Sequence, residues 1–519
     1  MEGARAGRIV PAHRRHPRCM SDEGGSCWID EGGLSMKPPR CFFTIACLIG
    51  LPWSGAVVAG ESSFQAGAAT SNITPELGGS VVGGFVRFPA THVHDELHAR
   101  SLVLTDGQTQ LAIVVCDLLG IGRAADTEAR RLIEAATGIS PERVLISCVH
   151  THSACDARAE APADGKALGG YDAFVARRIT DSVRCAMNRL RPAEFAFITA
   201  EAPEHVFNRR WFMKPGSAPP NPFGSIDRVK MNPPGGSPDL VAPAGPTDPT
   251  ISILALREPQ GGPIAVFATY SLHYVGGVRK GDISADYYGM FCRKLERLLK
   301  AEEQDPPFVA MMANGTSGDI NSVNFSKPRP KEQPYAKMRR VADDVATKVF
   351  EALGRAQYAN RLTLAASYRE LPIATRRPTP DQLTWAKEKL ASPEEKKGGA
   401  DLPRIYAART VGLLKQPETI QIPLHVLRIG DVCIGTMPTE VFCETGLEFR
   451  KRSPIKPAFL VSLAHGYFGY LPAPRHFELG GYETWIGTSR LEPQASEKML
   501  GALLDMAAEL APSAPTAAN

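Results

Sequence analysis

The feature that most restricts the fold is a pair of short, nearly unbroken apolar runs at residues 110–116 and 143–149, separated by an amphipathic helical pattern over 125–137. A strand that is apolar on both sides cannot leave either face in water, so such runs belong to a sheet covered on both faces. The alternation continues along the chain. Strand-like runs fall at 103–105, 194–199, 251–256, 264–270 and 308–312, and helical patterns at 171–190, 285–303, 334–353, 380–390 and 492–510. Within 285–303, Phe291, Leu295, Leu298 and Leu299 make the buried stripe, while Arg293, Lys294, Arg297 and Lys300 stay in solvent. The expected class is α/β: a single large domain with mainly buried, mixed sheets flanked by helices. A hydrophobic share of 43% supplies the core that this class needs. Residues 213–249 are crowded with Pro and Gly and read as one long loop without a regular element, either a cover over a site or a surface excursion. No internal repeat is visible.

The 59 basic and 55 acidic side chains are interspersed, with no long basic run, which excludes a nucleic-acid partner. Met36 to Arg40 is a short basic stretch followed by an apolar one and by small residues at Val57 and Ala59 before Gly60. That is the order of a secretory signal peptide, over 36–60, and the run is short for a membrane span. The expected organisation is a mis-started or disordered leader over 1–35, the signal peptide, a catalytic domain over 61–510 and a disordered tail over 511–519, the product being secreted or periplasmic. Seven cysteines follow Gly60 with no CxxC spacing, so neither a disulfide scaffold nor a thiolate zinc site is expected.

Five places could carry chemistry. His150-Thr151-His152 directly follows an apolar strand, and His273 follows another, so both can reach the crevice at one sheet edge. Either alone reads as a core histidine bonded to backbone; the recurrence is what points to a site. Thr439-Glu440 opens an expected helix, where the macrodipole favours Glu regardless of function. The run from Gly466 to Pro472, with Tyr467 and Tyr470, and the following Gly480-Gly481-Tyr482-Glu483 are aromatic and Gly-rich. Asn314 to Asn321 is a small polar loop able to bring backbone N–H groups near a ligand.

The order of these pieces resembles the neutral/alkaline (non-lysosomal) ceramidase family. The matching residues are His150-Thr-His-Ser153, His273, Ile283-Ser-Ala-Asp-Tyr-Tyr-Gly289, Gly318-Asp319, Pro438-Thr-Glu440, and Tyr470 with Tyr482, supported by Asn208-Arg209 and Asn72-Ile-Thr-Pro75. The likeness runs over roughly 65–510, the family's catalytic domain. It implies one Zn2+ per chain on His150, His273, Glu440 and Tyr470, with His152 behind them orienting water or substrate. It also implies that Arg209 and Tyr482 polarise a carbonyl and stabilise its oxyanion, and that Gly318, Asp319, Asn321 and Ser322 contribute to catalysis or substrate binding. The implied reaction is hydrolysis of the N-acyl amide of a ceramide-like lipid. A small-molecule or lipid substrate of this kind brings transient contact with a membrane surface; the sequence leaves the oligomeric state open.

Two departures bear on substrate. The family's turn carries a serine where this chain has Asn321, and, with only a short tail after the helix expected over 492–510, the family's C-terminal immunoglobulin-like domain is not expected here. The alternatives are a zinc hydrolase of another amide or ester, such as an acylated sugar or peptide, and a non-catalytic exported binding protein. A serine hydrolase is disfavoured because no GxSxG elbow is present.

Overall fold

The structure is a computed structural model that describes residues 64–160, 167–393 and 400–512. The leader, signal peptide and most of the tail expected from sequence lie outside these residues.

The architecture repeats one supersecondary unit three times. In the first, β1 (Gln65–Asn72), β2 (His98–Thr105) and β3 (Gln110–Cys116) form an antiparallel meander, α1 (Arg123–Thr137) crosses over, and β4 (Val144–Cys148) pairs parallel to β3. The second has the meander β5 (Glu194–Glu201), β6 (Thr250–Arg257) and β7 (Pro263–Tyr270), the crossover α3 (Asp286–Leu298) and the parallel strand β8 (Val309–Asn314). The third has β9 (Leu364–Ala374), β10 (Thr419–Ile429) and β11 (Val432–Met437), the crossover α7 (Cys443–Arg452) and the parallel strand β12 (Ala458–Ser462). Each unit ends on a further helix: α2 (Gly170–Asn188), α4 (Ala336–Leu353) and α9 (Ala495–Glu509). Helices α5 (Pro380–Ala391) and α6 (Leu402–Gly412) are inserted between β9 and β10, and a short α8 (Arg475–Leu479) precedes α9. The repeat is one of topology, which is why no sequence period betrays it.

The parallel strands β4, β8 and β12 touch one another pairwise, so the three sheets meet along them. Hydrogen bonds tie the junction: Cys148 N–H donates to Leu463 C=O at 3.1 Å, and the Asn314 amide donates to Val149 C=O at 2.9 Å. Every residue of β4, β8 and β12 is buried although each is the edge strand of its own sheet, because the neighbouring sheets cover it.

Local chemistry explains most boundaries. The β2–β3 turn is Asp106-Gly107, with the Asp106 carboxylate accepting from the backbone of Gln108 and Thr109 at 2.9 and 2.7 Å and Gly107 at φ 88°. Helix α5 opens on a Thr379/Gln382 capping box. Helix α3 stops at Leu298 rather than reaching 303 because Lys300 turns left-handed at φ 54°. Its stripe is as expected for Phe291 and Leu295, both fully buried, with Leu298 and Leu299 packed at the edge of the core.

Two expectations are corrected. The stretch 213–249 is not devoid of regular structure: Val229–Met231 and Leu240–Pro243 each pair antiparallel with Arg210–Met213. Such short edge strands are held by backbone bonds and need no apolar period, and Pro243 sits at a strand end, where a lost N–H costs least. Glu440 does not start a helix. Glu440–Val441 is a short strand parallel to Tyr470–Leu471, and the helix begins at Cys443.

Close packing of the first unit depends on Gly67. A Cβ there would stand 2.1 Å from the Ala186 carbonyl oxygen at the end of α2. Backbone cannot yield as a side-chain tip can, so Gly67→Ala should lower unfolding free energy in urea by about 1–3 kcal/mol; an unchanged midpoint would contradict this packing.

Candidate metal centre and active site

His150, His152 and Glu440, carried on segments that leave the carboxyl ends of strands, line one cavity of about 320 Å³ together with Tyr467, Tyr470 and Tyr482, and His273 Nε2 lies 3.6 Å from Glu440 Oε2. His150 leaves β4 in a left-handed conformation, φ 78°, which a side chain tolerates only where its surroundings enforce it. The enforcement is visible: its N–H donates to Leu118 C=O at 2.9 Å and its Nδ1 to Leu119 C=O at 2.8 Å. Three residues beyond β7, His273 donates from Nδ1 to Ser317 C=O at 3.0 Å. A carbonyl can only accept, so both imidazoles carry a proton on Nδ1 and turn Nε2 toward the cavity, where it offers a lone pair whenever the ring is neutral.

Those lone pairs converge. His152 Nε2 lies 3.3 Å from His150 Nε2, and Glu440 Oε2 lies 3.2 Å from His150 Nε2 and 3.6 Å from His273 Nε2. Burial holds the His152 and His273 imidazoles well below their ordinary value, with neighbouring His150 and Arg209 respectively adding to the effect. Burial works against ionisation of Glu440, yet the imidazoles of His150 and His273 and the Tyr467 hydroxyl hold its carboxyl well below the usual range. Its Oε1 accepts from Tyr467 O–H at 2.6 Å, while Oε2 is buried with no hydrogen-bond partner. Histidine nitrogens within 4.8 Å of one another, plus an unpartnered carboxylate oxygen, are a donor set that a divalent cation satisfies.

Glu440 is seated by the turn at Gly318. Gly318 N–H donates to Val441 C=O at 2.7 Å, and a Cβ on Gly318 would stand 2.5 Å from the Glu440 carbonyl oxygen. Asp319 is fully buried and accepts from Asn208 Nδ2 at 2.7 Å and Cys443 N–H at 2.8 Å. Gly318 and Asp319, expected to bind substrate, are therefore placed behind the cavity, where they hold Glu440 and Arg209 in register. Asn321 and Ser322 line neighbouring grooves instead; Asn321 Nδ2 donates to Asn232 Oδ1 at 3.1 Å.

Arg209 is brought in as expected. Its Nε donates to Glu483 Oε1 at 2.8 Å, Nη1 lies 3.4 Å from His273 Nε2, and Nη2 is buried with no partner. Tyr470 and Tyr482 both line the cavity, their rings 5.6 Å apart. Tyr470 faces Arg209, whose Cζ is 5.3 Å from its ring centroid; the phenol that donates to Glu440 is that of Tyr467. Burial pushes the phenols of Tyr467, Tyr470 and Tyr482 up, leaving them O–H donors at neutral pH.

Several residues at the site escaped sequence reasoning. Glu483, fully buried, clamps Arg209 and Arg210 with its two oxygens, and its only signal was adjacency to Tyr482. Tyr274 stacks on His152 at 3.7 Å. Arg158, Arg409 and Arg490 line the cavity from separate segments and carry no motif. Beside this cavity lies an apolar one of about 160 Å³, walled by Phe85, Tyr482 and Trp485 and by Val229 and Met231 of the 213–249 stretch.

The family profile described as neutral/alkaline non-lysosomal ceramidase, N-terminal, matches residues 64–343, more than half of the chain. That span includes His150, His152, Arg209 and His273; Glu440, Tyr470 and Tyr482 lie beyond it. No curated protein matches in sequence. Among solved structures, the neutral ceramidase of Pseudomonas aeruginosa shares the fold at 18% identity and a TM-score of 0.64, over 88% of this chain and 76% of that one. A ceramidase complexed with C2 does so at 18% identity and a TM-score of 0.65, over 88% and 77%. With more than half of its length, from β1 into α4, inside the matched profile, the chain belongs to the neutral/alkaline non-lysosomal ceramidase family of hydrolases.

Proposed function

We propose that the protein is a zinc-dependent amidohydrolase that cleaves the N-acyl amide bond of ceramide-like lipids. The observation that carries this reading is the gathering of Nε2 atoms and an unpartnered carboxylate oxygen whose other polar atoms are already engaged. His150, His273 and Glu440 would hold the ion, with Tyr470 on the same wall as the fourth ligand implied by the family. A zinc ion held there supplies Lewis acidity toward the carbonyl and a nucleophilic water near neutral pH.

The chain's own groups then have distinct tasks. His152 Nε2, kept neutral by burial, can take a proton at the edge of the cluster. The unpaired Nη2 of Arg209 and the protonated phenol of Tyr482 are hydrogen-bond donors suited to an amide oxygen as it gains negative charge. Glu483 fixes Arg209 in one orientation, so that no reorganisation accompanies the reaction. The adjoining apolar cavity suits an acyl chain, and exposed Phe85 and Val86 on its rim segment suit contact with a lipid surface.

Metal analysis and turnover of a labelled ceramide test the proposal together. The wild type should carry about one zinc per chain, His273→Ala should lose it, and His152→Gln should keep the metal while losing turnover. Loss of zinc in His152→Gln would make His152 a ligand, and absence of zinc from the wild type would overturn the mechanism. Arg209→Ala and Tyr482→Phe should retain metal and lower kcat by about 10²–10³. Unimpaired kcat in both would remove them from the carbonyl.

The proposal includes export, on the strength of the basic, apolar and small-residue order over 36–60. The exported product should have an intact mass that begins near Gly60; a product retaining residues 1–35 would refute it.

A further inference from the structure

The Ile283–Gly289 motif, which carries the chain into α3, lines no part of the histidine cavity. It grips the two segments that bear the histidines. Ser284 N–H donates to Ser153 C=O at 2.9 Å and Ser284 C=O accepts from Thr151 Oγ1 at 2.7 Å, which fastens the segment from His150 to Ser153. The residues that follow fasten the other. Tyr287 and Tyr288 donate their hydroxyls to Leu272 C=O at 3.3 and 3.0 Å, and the Asp286 carboxylate accepts from Val275 N–H and Gly276 N–H, each at 2.9 Å. His273 and Tyr274 are thereby held from both sides.

An aspartate at a helix start ordinarily serves its own helix. Asp286 serves the loop: of the three N–H groups it accepts from, only that of its neighbour Tyr287, at 2.7 Å, lies in α3. It is fully buried and left-handed at φ 57°, both unfavourable for an aspartate taken alone. Burial pushes its carboxyl up to about 6 against the pull of those three N–H groups, so at neutral pH it is ionised and accepts on both oxygens.

What the loop carries is the Tyr274 ring, stacked on His152 with centroids 3.7 Å and planes 17° apart. Gly83 presses on the same imidazole, since a Cβ there would stand 2.5 Å from His152 Cγ. An imidazole so packed cannot turn about its Cβ–Cγ bond without displacing the tyrosine, and its Nε2 stays 3.3 Å from that of His150. His150 and His273 have anchors of their own, the carbonyls of Leu119 and Ser317.

We propose that Asp286 is a positioning residue for the reaction: by holding the backbone of Val275 and Gly276 it keeps Tyr274 flat on His152, and so keeps His152 Nε2 turned to the cluster. This rests on the amidohydrolase reading, with His152 as its proton acceptor.

Asp286→Asn keeps the shape of the side chain and replaces one acceptor oxygen by an NH2 group that cannot accept. In NMR spectra of histidine-labelled wild type, the His152 ring protons, assigned as the imidazole resonances missing from His152→Gln, should be displaced upfield by the Tyr274 ring. Asp286→Asn, shown folded by thermal unfolding, should lose that displacement. With a labelled ceramide the same variant should keep its zinc and its KM while kcat falls about 10–100-fold. Tyr274→Leu should behave alike, and Tyr274→Phe, which retains the ring, should restore both the displacement and kcat. An unchanged displacement in Asp286→Asn, or an unimpaired kcat despite its loss, would overturn the proposal. Loss of zinc in Asp286→Asn would overturn it as well, since the carboxylate would then be holding the metal ligands rather than His152. If Asp286→Asn does not fold, the Tyr274 pair decides: a lowered kcat in Tyr274→Leu, rescued in Tyr274→Phe, supports the proposal, and an unimpaired one refutes it. If the wild type hydrolyses no amide, the amidohydrolase reading fails on its own, and the His152 resonance alone upholds or refutes the hold of Asp286 on the stack.

Discussion

Everything at the site is positioned by the meeting of three parallel strands, β4, β8 and β12. Each is the last strand of its sheet and each is buried throughout, so none can shift without unpacking two sheets at once. Parallel pairing points their carboxyl ends the same way as those of the strands they follow, β3, β7 and β11. The segments leaving these ends supply His150 from the first unit, His273 from the second and Glu440 from the third. A donor set drawn from three sheets can be rigid only if the sheets are locked, which the Cys148–Leu463 and Asn314–Val149 hydrogen bonds accomplish.

The same geometry sets the protonation of the histidines. Chain segments that leave strand ends carry carbonyls with no ladder partner, and two of these, Leu119 and Ser317, take the Nδ1 protons of His150 and His273. Backbone, rather than a carboxylate, therefore fixes the tautomers. That leaves Glu440 free to present Oε2 to the cluster while Tyr467 holds Oε1, and Arg209 is oriented from the far side by Glu483. Burying Glu483 between Arg209 and Arg210 satisfies the carboxylate but leaves Arg209 Nη2 and Arg210 Nε without partners. Such incompleteness in a packed interior is costly unless something else completes it.

Much of this was legible in the sequence where the signal was periodic. The strands and helices of the first two units follow from continuous apolar runs and 3.6-residue stripes, and the α/β class follows from their alternation. The third sheet was missed for physical reasons: β9 is mostly exposed or half-exposed along its length, and β10 carries Pro423 inside an otherwise apolar run, so neither looks like a covered strand. Glu440 was recognised but assigned to a helix, because a two-residue strand held by Tyr470–Leu471 leaves no periodic trace. His150, His152 and His273 were visible because they directly follow strands. The arginines were not, since α6 and two separate loops deliver them and only the folded chain brings them together.

Asn321 illustrates how a departure in sequence can change its meaning once placed in space. Its side chain bonds to Asn232 in a groove that Lys230 and Tyr274 also line, outside the histidine cavity. The link between the two is Tyr274, whose ring lies flat on His152. A substitution at position 321 therefore removes no group from among the residues lining the reacting space.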